Sequence, residues 1–139
     1  MSRNTINDLY GQRATLSSAL AQENAEKSNL NGKLGRLKKA SKSLHSNVSE
    51  IEVSHNRIGN LTIDEGRWRG MEKNKFEQEH QRLGDSTKEY MSKAIDARNQ
   101  VDEEVNRCEA NLLSVESNIS RYQGMLANVN YQIAVRGNS

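Results

Sequence analysis

The residues that could do chemistry are few and far apart. The chain has three histidines, His45, His55 and His80, and a single cysteine, Cys108. A protein metal site needs several His, Cys or carboxylate donors at short recurring intervals, so that they converge on one point. No histidine here has a second His, Cys or carboxylate at a recognisable metal-ligand interval, although His80 sits among Glu77 and Glu79. A structural or surface role is therefore expected for all three. Cys108 falls in a line of apolar residues at helical spacing, which suits a small buried hydrophobe better than an activated nucleophile. The chain contains no glycine-rich phosphate loop, no paired-cysteine motif and no GxSxG elbow. These residues argue against an enzyme, and no catalytic residue, cofactor or metal is expected.

One charge run stands out. Lys33, Arg36, Lys38, Lys39 and Lys42 follow one another with no acidic residue between Glu26 and Glu50. It reads first as a solvated face, partly paired with Asp96, Asp102, Glu103, Glu104, Glu109 and Glu116, and second as a dock for an acidic partner surface. Aromatic side chains do not interleave with it, so nucleic acid is not an expected partner. The whole chain, with 20 Lys plus Arg against 18 Asp plus Glu, has no general attraction for polyanions. Protein partners remain.

Such residues must be carried by long, thin elements. The 139 residues are 34% hydrophobic and 4% aromatic and include no proline, and the mean hydropathy is −0.90. A conventional compact core is not available at that composition. Disorder is not the answer either, because the apolar residues recur at helical spacing. No apolar run is long enough to cross a bilayer, and the N-terminal residues lack the apolar stretch of a signal peptide, so a cytoplasmic protein without stable membrane insertion is expected.

From Ile6 to Ile58 two seven-residue series alternate at gaps of three and four. Leu9, Leu16, Glu23, Leu30, Leu37, Leu44, Ile51 and Ile58 occupy the d positions of a heptad; Ile6, Arg13, Leu20, Lys27, Leu34, Ser41, Val48 and His55 occupy the a positions. The d line is almost wholly apolar while the a line is half polar, a pattern that gives up stability for register and partner discrimination. Gly32 and Gly35 fall outside the seam, where they are either tolerated or allow close approach of another helix. A second helix carries Phe76, Leu83, Tyr90 and Met91 in a drifting register. It then settles into Val101, Cys108, Val115, Tyr122 and Val129 beside Val105, Leu112, Ile119, Leu126 and Ile133.

Between the two patterns lies the segment Gly59 to Gly66, with Gly59 suited to a left-handed helix terminus and Thr62 with Glu65 matching a capping box. The reading is an all-α, antiparallel two-helix hairpin forming one domain over 1–139: helix one over about 5–58, a turn at 59–66, and helix two over about 67–135. At 1.5 Å per residue the first helix spans about 80 Å and the second about 95 to 105 Å. With the fold line at 59–66, the strongest apolar seam, Val115 to Ile133, lies opposite the N-terminal end of helix one or beyond it. Each helix buries one stripe, so a further pair of helices, from a second copy or another protein, is expected to complete the structure.

The turn also holds the only tryptophan and only phenylalanine, Trp68 and Phe76, with Gly70 between them. This Trp68-Arg69-Gly70 tripeptide, the preceding Leu-Thr-Ile-Asp, the start Ile6-Asn7-Asp8-Leu9-Tyr10 and the long flanking helices resemble the WXG superfamily of small helical hairpins handled by type VII secretion in Gram-positive bacteria. Within it the chain is most similar to the YwqH-like family, found beside LXG polymorphic toxins; the resemblance covers nearly the whole chain. Lys73 departs from it, standing where a small residue is expected.

The resemblance implies an accessory targeting factor or chaperone that binds the helical N-terminal domain of a cognate LXG toxin, alone or with a second small WXG-like helical protein. Trp68, Gly70 and Phe76 would act at the hairpin tip, and Leu112, Val115, Ile119, Leu126 and Val129 would supply the buried area by side-by-side helix packing. The aromatic-x-x-x-acid export signature is missing, since Tyr122 leads to Leu126 and Tyr131 to Val135. An export signal would then come from a partner, with co-export of this chain as one outcome. Without its partner the isolated chain could pair as a homodimer, and the alternative reading is a self-assembling structural coiled coil without cargo.

Overall fold

The computed structural model describes residues 3–61 and 70–137. It consists of α1, Arg3–Gly59, and α2, Met71–Gly137, which pack as an antiparallel, all-α hairpin. Without proline the backbone hydrogen-bond ladder is unbroken in both helices, and the heptad stripes decide which faces meet. Every a and d residue assigned to α1 from Ile6 to Ile58 is partly or fully buried except Arg13. In α2 all ten seam residues from Val101 to Ile133 are likewise covered.

Contacts cluster into two compact units, Met1–Arg36 with Val105–Ser139 and Leu37–Glu104, called here the free-end and turn-end units. In the free-end unit Leu9, Leu16 and Val129 form an apolar cluster, against which Tyr122, Leu126 and Ile133 pack. Further along, the Cys108 thiol donates to the Leu30 carbonyl at 3.4 Å and is 2% exposed, so the cysteine is a buried hydrophobe. Polar seam residues pair across the helices. Asn118 Nδ2 donates to Glu23 Oε2 at 3.5 Å, and Lys27 Nζ stands 4.0 Å from Glu116 Oε1.

Two expectations about the reversal change. Helix two begins at Met71 rather than about 67, because Gly70 adopts φ +65°, a left-handed conformation that a continuing right-handed helix cannot contain. The Gly70 carbonyl accepts the Asn74 amide at 3.2 Å, which makes Gly70 the residue that opens α2. Gly59, expected to be left-handed, is not; among the described residues Gly70 alone has positive φ. The proposed capping pair Thr62 and Glu65, and Gly66, lie outside the described residues.

Of the two places expected for the seam Val115–Ile133, the structure shows the first: it lies opposite the N-terminal end of α1, where Leu9 and Leu16 close directly on Val129. The extra length of α2 is spent at the other end. His80 Nε2–H donates to the Ile58 carbonyl within the last turn of α1, so residues 71–79 continue past it.

Candidate partner-binding surface

Of the eight residues proposed to bind a partner, Trp68 lies outside the described residues. Gly70 is exposed and serves the backbone of the turn. Phe76 is partly buried and stacks on His80, with ring centroids 5.5 Å apart and planes inclined by 17°. With Leu61 and Leu83 these rings line an open groove of about 330 Å³, edged by Glu79, Arg82 and Ser86. Lys73, one turn before Phe76, is partly buried.

The other five are used inside the hairpin. Leu112, Val115, Ile119 and Val129 are 6–8% exposed, and Leu126 packs on the Leu9–Leu16–Val129 cluster. Their apolar area closes α2 onto α1, and a partner helix laid against the closed free-end unit would meet their neighbours instead. A heptad stripe identifies which residues pack, and in this hairpin these five pack between its own two helices.

What remains exposed in the free-end unit is Tyr10, Leu113, Met125, Tyr131 and Val135. Met125 lies in a second open groove of about 430 Å³, whose floor is Leu16 and Val129 and whose edges are Gln12, Thr15, Asn128 and Gln132. None of these lining side chains carries a charge. Met125 and Gln132 sit one position before seam residues Leu126 and Ile133, seven residues apart. This flanking line was the sequence signal for the groove. On the turn-end unit the same line continues as Phe76, Leu83 and Tyr90; Leu83 is 48% and Tyr90 65% exposed. The drifting register read for this segment is therefore two faces, Met91 toward α1 and Leu83 and Tyr90 beside it.

The charged residues are arranged mainly within and across the hairpin. Asp102 accepts from the Ser41 hydroxyl at 2.5 Å and from His45 Nε2–H at 3.0 Å. The Ser41 hydrogen bond is the main force holding its carboxyl below the ordinary 3.8; partial burial opposes this, and the hydrogen bond and charge of His45 and the charge of Arg98 add to it. The Thr87 hydroxyl donates to the Gly84 carbonyl at 3.0 Å, which leaves its oxygen to accept His55 Nδ1–H at 2.6 Å. All three histidines thus bind across the seam. Among the described residues no group of three His, Cys, Asp or Glu side chains could hold a metal, and no helix is long and apolar enough to cross a membrane.

The YwqH-like family model matches residues 11–132, a span that takes in both helices and the turn. The chain belongs to the YwqH-like family. No curated protein and no solved structure matches it.

Proposed function

We propose that this YwqH-like protein is a targeting factor or chaperone for the helical N-terminal domain of an LXG toxin, presented to a type VII secretion system. The observation that carries this reading is the free-end groove around Met125. A hairpin whose own seam is closed still offers an apolar floor with an uncharged edge, sized for the side chains of a helix lying alongside. An exposed apolar groove beside a satisfied core marks an interaction surface in a protein with no catalytic constellation. The protein then acts in the cytoplasm by helix packing, without cofactor, alone or beside a second small WXG-like helical protein. The export signal resides on the partner, with which it can leave the cell.

The test is light scattering of the purified chain, alone and co-expressed with the LXG-type protein encoded beside it. A stable complex is expected, and Met125→Glu is expected to weaken it by at least tenfold while leaving the helical circular dichroism of the free chain unchanged, since Met125 is 47% exposed. A tight homo-oligomer that ignores the neighbouring protein would overturn the reading in favour of a self-assembling coiled coil.

A further inference from the structure

The two units differ in the apolar area that closes them. Among the described residues nine apolar side chains are buried; eight belong to the free-end unit and only Val48 to the turn-end unit. Polar contacts cross the helices in both units, in the free-end unit Asn118 to Glu23, Lys27 to Glu116 and the Cys108 thiol to the Leu30 carbonyl, but in the turn-end unit they stand beside a single buried apolar side chain. The hydrogen bonds that cross this unit from α1 to α2 include Ser41 to Asp102, His45 to Asp102, His55 to Thr87 and His80 to the Ile58 carbonyl. At Gly84 the seam has no side chain at all, and a Cβ placed there would meet nothing within 4 Å.

These forces respond differently to helix separation. A cross-helix hydrogen bond broken in water is replaced by bonds to water, so its net contribution is small, whereas re-exposed apolar surface costs free energy in proportion to its area. Asp102 carries two of these crossing bonds, taken from residues one turn apart on α1, and it stays reachable by water, with its side chain 38% exposed. Its carboxylate therefore fixes register while contributing no apolar area.

We infer that the turn-end unit is a clasp, latched by Asp102 on Ser41 and His45, in which 37–58 of α1 and 80–104 of α2 part while the apolar zipper of the free-end unit stays closed. Opening frees a stripe that the closed form covers, Leu44, Val48 and Ile51 on α1 and Met91 on α2. The device lies within this hairpin and does not depend on the identity of any partner.

Hydrogen–deuterium exchange of the full chain, resolved by peptide, tests it. Amides of 44–58 and 84–101 are expected to exchange faster than those of 9–30 and 108–129. Asp102→Ala is expected to speed exchange in the first set by about tenfold and to leave the second set unchanged, as fits the loss of two partly exposed bonds. Ser41→Ala, which keeps the carboxylate and its histidine, is expected to give a smaller rise in the same peptides. Equal protection of both sets, or a rise spread over both sets in either variant, would overturn the clasp. So would loss of the helical fold in Ser41→Ala, because the node would then be holding the whole chain rather than one unit.

Discussion

The ionisation of Asp102 is tied to the fold. Its folded carboxyl lies below the ordinary value because the Ser41 hydroxyl and His45 ring bind the charged form. The direction determines the pH dependence. Below both values the carboxyl is protonated in folded and unfolded chains and contributes nothing; above the unfolded value, near 3.9 for a free aspartate, its contribution is complete. Stability from this node is therefore expected to be full at neutral pH and to be lost as pH falls through the folded value. Thermal melts of the wild type and Asp102→Asn between about pH 7 and pH 2 check this. The gap between their midpoints is expected to shrink on acidification; a gap that widens would show that another group governs the node. The sequence placed Ser41 and His55 at seam positions and His45 beside the seam, but not their partners. Those depend on the register of α2 against α1, which the heptad stripe of one helix does not state.

The stripes of the two helices were readable because a heptad repeat states directly which face is buried, and only Arg13 departs from it. The ends of the helices were less readable. A glycine advertises permission for left-handed backbone without saying that it is used, and here Gly70 uses it while Gly59 does not. Gly84 shows the same ambiguity inside α2. It occupies the seam, partly buried, yet a methyl group there would contact nothing within 4 Å. Gly84→Ala is therefore expected to stabilise the chain by about 1 kcal/mol, through helix propensity and a less free unfolded state, without a steric penalty. Chemical denaturation followed by circular dichroism would show the midpoint rise. A fall would mean that α1 approaches this turn more closely than the contacts of Gly84 indicate.

For the molecule as a whole, low hydrophobic content and long helices leave apolar area for one continuous stripe and little besides. Most of that stripe is spent closing the free-end unit, where the strongest sequence signal, Leu112 to Val129, forms the core of the hairpin. Among the surfaces left for recognition, two differ most in chemistry, the uncharged groove around Met125 and the basic run that includes Arg36, Lys39 and Lys42. Salt distinguishes them. Docking on the basic run is an attraction between exposed charges, weakened once the screening length falls from about 10 Å at 0.1 M to about 3 Å at 1 M. Packing in the groove is area-driven and gains slightly, if anything, from salts that disfavour exposed apolar surface. The complex with the LXG-type protein is therefore expected to keep its affinity within about threefold between 0.1 and 1 M sodium chloride, measured by titration calorimetry. A loss of tenfold or more over that range, abolished by Lys39→Gln with Lys42→Gln, would move the interface from the groove to the basic face of α1.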